Sequence, residues 1–295
     1  MEYILENDKL KATFRNKSAE LISLIRKADN AELMWNGDPK YWGWSSPILF
    51  PFVGAVKNGE YRYKDTTYQI RQHGFARNQE FSVIFHSDDR ITFLLEQSEE
   101  TKEQYPFDFH LEISYELEDN TLNVCWKVVN PSDDKMYFSI GAHPAFMCPL
   151  KDGEKQWDGY LCFPDAEGDA LAYKLIDLSK NCIAPELHEL PLEGRKAHIT
   201  EHMFDKDALI IENRQAGMLG LAGSDGQPYV MLTFDAPLFG IWSPAGKNAP
   251  FICLEPWYGR SDAVDFNGTL ENREYEQCLD GGQSFETSYQ ITVCN

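Results

Sequence analysis

The sequence predicts an all-β fold, a large antiparallel β-sandwich. Three observations carry this: apolar residues alternate with period two, turn residues separate the alternating runs at hairpin spacing, and helical signals are few and short. Successive side chains of a strand point to opposite faces, so a half-buried strand alternates apolar and polar. Residues 110–117 show it most clearly, with Leu111, Ile113, Tyr115 and Leu117 on one face and His110, Glu112, Ser114 and Glu116 on the other. Residues 122–129 repeat the pattern around Val124 and Trp126, and residues 80–86, 91–97, 229–234 and 285–293 follow it.

Turn chemistry lies between these runs. Lys64-Asp65-Thr66, Asp89-Arg90, Glu118-Asp119-Asn120 and Asp225-Gly226-Gln227-Pro228 each separate two strand candidates. Residues 99–104 suit one or two helical turns, which Pro106 stops. Residues 151–201 are the least regular and are expected to form long excursions over one face. No Gly-rich or Pro-rich linker, low-complexity tract or fixed-period repeat divides the chain, so residues 1–295 are expected to form a single β-sandwich domain.

Composition narrows the function classes. The chain is 43% hydrophobic, enough for a substantial core, and its 47 acids against 27 bases leave a net charge of −20. Such a field repels phosphate backbones and anionic membranes, so neither nucleic acid nor membrane is an expected partner. The first residues are too charged for a signal peptide, and no run approaches the roughly 20 apolar residues of a membrane span. Seven cysteines are scattered without a CxxC pair, which reads as reduced, inert thiols and a cytoplasmic location. His198 and His202 stand at i, i+4 but lack the HExxH order and a third ligand, so no metal is expected there.

Three segments break the strand pattern: Arg71-Gln72-His73-Gly74-Phe75-Ala76-Arg77, Gly141-Ala142-His143-Pro144-Ala145-Phe146, and Phe251-Ile252-Cys253-Leu254-Glu255-Pro256-Trp257-Tyr258-Gly259. His143 and Glu255 each follow an apolar run and directly precede a proline. A pre-proline residue is pushed into extended geometry and proline cannot donate to a ladder, so both positions suit a strand end from which a side chain enters a groove. Taken alone, His143 reads equally as a structural hydrogen-bonding group or a proton-transfer group. Glu255 reads equally as a buried ion-pair partner or a catalyst. Aromatic residues gather near these segments, among them Trp42, Trp44, Trp242 and Trp257. Of these, Trp242 and Trp257 are the ones expected at a groove, where an indole can lie against the C–H face of a sugar; the competing reading is that all are core.

In order along the chain, Pro47-Ile48-Leu49-Phe50-Pro51, Val53-Gly54, Gln72-His73-Gly74-Phe75-Ala76-Arg77, His143-Pro144-Ala145-Phe146 and Phe251-Ile252-Cys253-Leu254-Glu255-Pro256-Trp257 resemble the aldose 1-epimerase, or galactose mutarotase-like, superfamily, most of all its LacX-like branch. The resemblance implies two packed antiparallel sheets with a sugar groove across one, and interconversion of the α and β anomers of a hexose. His143 matches the family's general acid and Glu255 its general base, flanking the anomeric centre. Gln72, His73, Arg77 and Asp207 match sugar-contacting positions, with Asp205 a nearby rival for Asp207, and Trp242 is expected beside them. No metal or redox cofactor is implied; the partner is a small-molecule sugar and the protein a monomer or homodimer. One family feature is missing, a basic residue near Ala55-Val56 or Gly43-Trp44-Ser45-Ser46, for which Lys57 is a candidate replacement. A neutral aldose is therefore expected. The alternatives are a hexose-6-phosphate 1-epimerase using Arg71, Arg77 and Lys57, a non-catalytic sugar-binding protein, and a glycoside hydrolase with Asp207 or Asp235 as second acid.

Overall fold

The computed structural model describes residues 1–294, and within them almost every regular element is a strand. The largest sheet has nine antiparallel strands, in the order Lys196–His198, Tyr160–Cys162, Met218–Ala222, Pro228–Phe234, Ser284–Val293, Thr121–Val129, His110–Glu118, Arg90–Glu96 and Ser82–His86. A six-stranded sheet is built around Phe251–Tyr258. One side of that strand carries Leu238–Trp242 and then Leu209–Ile211; the other carries Ile140–Ala142, then Ile48–Leu49, with Ala145–Met147 pairing further along. A four-stranded sheet, Glu2–Glu6, Leu10–Arg15, Glu20–Arg26 and Ala31–Glu32, completes the framework.

The alternating faces dictate this packing. Leu111, Ile113, Tyr115 and Leu117 are buried together with Val124 and Trp126 of the neighbouring strand, while Glu116 and Glu118 face water. Across the interior, Tyr115 meets Phe14 of the four-stranded sheet at 4.5 Å between ring centroids, and Trp126 meets Tyr258 of the six-stranded sheet at 6.5 Å. One cluster of buried apolar side chains runs from Leu5 to Val293. Each buried ring adds area removed from water, at about 25 cal/mol per Å².

The expected hairpins close where their turn residues stand, with Lys64 and Asp119 in the left-handed conformation at φ 52° and 53°. The helix Glu99–Gln104 starts at Ser98, whose hydroxyl accepts from the Thr101 amide while Thr101 Oγ1 accepts from the Ser98 amide. Residues 151–201 are more regular than the sequence suggests: Tyr160–Cys162 and Lys196–His198 form one end of the nine-stranded sheet. Three-residue strands are too short to display a period of two. Among the described residues, no helix is long and apolar enough to cross a membrane.

A buried carboxylate ties the N-terminal sheet to the site described below. Glu20 is fully enclosed, pairs with Arg15, and accepts from the main-chain amides of Ser45 (2.6 Å) and Ser46 (2.9 Å). The Ser45 carbonyl in turn accepts from the Ala145 amide at 2.8 Å, which fixes the segment carrying Trp42 and Trp44 beside His143. Glu20→Ala leaves both amides and the guanidinium without their acceptor, and is expected to cost about 1.5–3 kcal/mol. Urea denaturation checks this; an unchanged midpoint would remove Glu20 from that role.

Candidate active site

Two strand registers decide where His143 and Glu255 meet. Gly141 pairs with Trp257 and Ala145 pairs with Cys253, both on the strand Phe251–Tyr258. Carrying that register across the gap sets His143 directly opposite Glu255. Pro144 and Pro256 each lack an N–H, so the ladder is thinned here to the bond from the Leu254 amide to the Pro144 carbonyl at 3.1 Å, and the two side chains form an opposed cross-strand pair. His143 Nε2 lies 3.2 Å from Glu255 Oε2, though off-line for a hydrogen bond. The two residues expected as acid and base are thus side by side instead of on opposite sides of a sugar-sized space. The ring oxygen and the anomeric hydroxyl of a hemiacetal share one carbon, so neighbouring groups are what they require.

The pair is buried, His143 at 7% and Glu255 at 1% exposure. Trp42 stacks on the imidazole at 4.6 Å, and Trp242 and His73 approach it edge-on at 5.5 and 5.6 Å. Burial pushes the Glu255 carboxyl well above the ordinary carboxylate range, reinforced by the charge of Asp207 and opposed by the Trp257 indole. Burial, with the Arg77 charge, pushes His143 down to about 3. Both shifts follow from disfavouring charge in a dry site. Glu255 Oε2 lacks a hydrogen-bond partner, and His143 Nδ1 has none beyond its own main chain.

All seven residues singled out from the sequence line one groove of about 300 Å³: Gln72, His73, Arg77, His143, Asp207, Trp242 and Glu255. His73 Nδ1 accepts from the Gly54 amide at 3.1 Å, which places the ring proton on Nε2; the Gln72 side-chain amide, 3.3 Å away, accepts that proton with its oxygen turned to the ring. Burial, then the neighbouring His143 and Arg77, holds His73 neutral by lowering its pKa well below the usual range. Arg77 donates to the Gln72 carbonyl at 3.0 Å and lies over Trp44, while its buried Nε lacks a partner. Asp207 accepts from the Ala208 amide at 2.8 Å; burial raises its pKa, opposed by that bond and by Trp242. His73 and Asp207 hold left-handed backbone at φ 67° and 76°, a strain of about 1–3 kcal/mol each that surrounding contacts must sustain.

Other candidates fall elsewhere. Lys57 does not replace the missing basic residue: its Nζ donates to the Phe266 carbonyl (2.9 Å) and Asn267 Oδ1 (3.3 Å), beside a separate cavity. Those nearby acceptors satisfy its ammonium before it can reach the groove. Arg71 is exposed and does not line the groove. Asp205 pairs with His202 at 2.9 Å on a different cavity, which leaves Asp207 as the aspartate of the groove. Asp235 is exposed and pairs with Arg214. His198 packs edge-on against Tyr160.

Comparison with known proteins gives a consistent picture. The model of the aldose 1-epimerase family matches residues 1–166. The chain is 30% identical to Protein LacX, chromosomal, of Lactococcus lactis subsp. lactis over 99% of each chain. Among solved structures, a galactose mutarotase related enzyme from Lactobacillus acidophilus superposes with a TM-score of 0.94 at 34% identity, covering 100% of this chain and 98% of the other. A galactose mutarotase-like protein from Lactobacillus casei gives 0.92 at 31% identity over the whole of both chains.

Some of the groove was not legible in the sequence. Ile176 and Ile210 line it from short strands and Ala208 and Ser261 from loops, none within a motif, and Trp42 reaches it through the segment held by Glu20. The clearest missed signal is a pair of glycines in strands. A Cβ on Gly240 would stand 2.4 Å from the Trp257 ring, and one on Gly141 would stand 2.5 Å from it. The Trp257 indole lies flat across both neighbouring strands only because both positions are glycine. Gly240→Ala is expected to displace Trp257 from the groove floor, at about 1–3 kcal/mol of stability. Denaturation with tryptophan emission as the probe tests this, and native-like emission with full stability would contradict it.

Proposed function

Because the chain belongs to the aldose 1-epimerase family, an enzyme family of isomerases, we propose that it interconverts the α and β anomers of a neutral hexose through proton transfer by Glu255 and His143. The observation that carries this reading is the buried 3.2 Å contact between an imidazole and a carboxylate with unfilled polar atoms, inside a monosaccharide-sized groove. Glu255, as carboxylate, takes the proton of the C1 hydroxyl. The C1–O5 bond breaks as C1=O forms, and protonated His143 delivers its proton to O5. Rotation about C1–C2 presents the other carbonyl face. On closure, His143 recovers the O5 proton while Glu255 returns its own to O1.

Over this cycle the pair always holds one proton plus whatever the sugar has given up. The carboxylate–imidazolium form meets the ring, and the carboxylic acid–imidazole form faces the open chain. Burial favours the uncharged arrangement in the empty groove. Engaging a ring form then requires the 3.2 Å contact to align as a hydrogen bond and the proton to pass from Glu255 to His143. Each positioned transfer contributes typically about 10²–10⁴-fold. Around the pair, His73 is a fixed Nε2–H donor, Asp207 an acceptor, and Trp42 and Trp242 supply flat apolar walls for the C–H face of a sugar.

A neutral substrate fits the charge of the groove. Arg77 is the one Lys or Arg among the described residues that lines it. A phosphate clamp calls for convergent cations or bidentate forks, which Arg77 alone does not supply. A glycosidase reading needs a second carboxylate as acid or nucleophile at a defined spacing. Of the two candidates, Asp235 is on the surface, whereas Asp207 does line the groove; the imidazole as the immediate partner of Glu255 is what favours epimerisation over glycoside cleavage.

Saturation-transfer NMR on glucose, galactose and their 6-phosphates tests the proposal, with faster anomer exchange expected on a free aldose. A 6-phosphate preferred over every free hexose would overturn the substrate assignment. Glu255→Gln and His143→Gln are each expected to lose at least about 10²-fold in exchange while retaining sugar binding. The double variant should fall little below the worse single one, because the two groups act as a unit. Wild-type rates in either single variant would eliminate that residue from the mechanism.

A further inference from the structure

The strand Phe251–Tyr258 brings a third donor to the pair. Cys253 precedes Glu255 by two residues, so the pleat puts both side chains on the groove face, opposite Ala145 and His143 of the partner segment. A His143 ring nitrogen, Cys253 Sγ and a Glu255 carboxylate oxygen all lie within 4.8 Å of one another, and all three residues are buried. The pair contributes a buried carboxylate oxygen without a hydrogen-bond partner, Glu255 Oε2, facing His143 Nε2 at 3.2 Å.

We propose that His143, Cys253 and Glu255 form a divalent metal site of zinc type, whose occupation blocks the acid–base pair. The donor set of one nitrogen, one sulfur and one oxygen matches a borderline-soft ion that takes thiolate, imidazole and carboxylate together. Calcium and magnesium prefer all-oxygen shells. Zinc bonds of about 2.0–2.3 Å in a tetrahedron set ligand atoms roughly 3–4 Å apart. The imidazole–carboxylate contact already meets that spacing at 3.2 Å, and the thiol closes on it by a small side-chain shift. Three protein ligands leave the fourth position to water or a sugar hydroxyl from the groove. The thiol proton passes to solvent as the ion binds, and no redox change occurs.

Cys253 takes no part in the proton transfers above, and the sequence reading treats it as an inert thiol. It packs with Trp35, Ala145, Ala249 and Phe251, under Trp42 and Trp242. The metal site itself is independent of the proposed reaction; only its inhibitory consequence rests on that reading. The two are therefore separable by experiment.

The test titrates the full-length, reduced, chelator-treated protein with Co²⁺ and follows its absorption spectrum, then displaces Co²⁺ with Zn²⁺. The expected result is one Co²⁺ per chain with a thiolate-to-cobalt charge-transfer band that Cys253→Ala abolishes. Cys253→Ala should weaken Zn²⁺ binding by more than the roughly 10–100-fold typical of losing an outer-shell partner. Anomer exchange should fall as Zn²⁺ fills the site and return with chelator, while Cys253→Ala retains basal exchange and becomes correspondingly resistant. A cobalt complex without the thiolate band, or equal Zn²⁺ affinity in Cys253→Ala, overturns the proposal. If no aldose is turned over, the spectral titration still decides the metal site and the failure belongs to the proposed reaction.

Discussion

The arrangement depends on one interruption in a hydrogen-bond ladder. Between the pairs Gly141–Trp257 and Ala145–Cys253, two strands run in register with Pro144 and Pro256 unable to donate. A continuous ladder there would lock the main chain and leave the side chains as ordinary sheet neighbours. The gap keeps the register, so His143 still faces Glu255, and one main-chain bond, from the Leu254 amide to the Pro144 carbonyl at 3.1 Å, still bridges it. The same strand face then brings Cys253 and Trp257 to either side of Glu255, and Gly240 and Gly141 give the Trp257 ring room to lie flat. A one-residue slip would turn this whole set toward the core and bring Ile252, Leu254 and Tyr258 into the groove.

Burial gives that geometry its chemical character. At this buried position the charged forms of both partners are disfavoured, so the resting pair is uncharged, with Glu255 holding the proton and His143 neutral. Such a pair moves a proton over a short distance with little change in net charge. That suits a reaction which removes a proton from one oxygen of a hemiacetal and adds one to the other. His73, kept neutral by burial and given a fixed tautomer by the Gly54 amide, supplies a donor that does not compete for the proton.

The fold class was legible because long half-buried strands such as His110–Glu118 write their environment into the sequence one residue at a time. Short strands do not, which is why Tyr160–Cys162 and Lys196–His198 looked like irregular excursions. The segments that hold Gln72, His73, Arg77, His143 and Glu255 were legible because prolines and glycines mark where the chain leaves regular pairing, and the family resemblance singled out the groove residues within them. Glu20 carried no such mark. Its role comes from contacts with Arg15, Ser45 and Ser46, the last two about 25 residues away in the chain, and nothing in its immediate neighbours announces a buried carboxylate. Lys57 shows the opposite error. A cation at a plausible sequence position was satisfied by the carbonyl of Phe266, over 200 residues distant.

The energetics of the pair also bear on whether this groove merely holds a sugar. Replacing a buried ionisable pair with apolar residues of similar volume is often neutral or stabilising, by about 1–4 kcal/mol. A binding groove could recognise hydroxyls with His73, Asp207 and Gln72, none of which needs a carboxylate oxygen left without a partner. Glu255 is retained at 1% exposure, with no amide or guanidinium to satisfy its Oε2, and its nearest polar contact is an imidazole that burial also discharges. Left-handed backbone at His73 and Asp207 adds further local cost in the same few ångströms. Destabilising features concentrated in one groove accord with the proposed proton transfer better than with recognition alone.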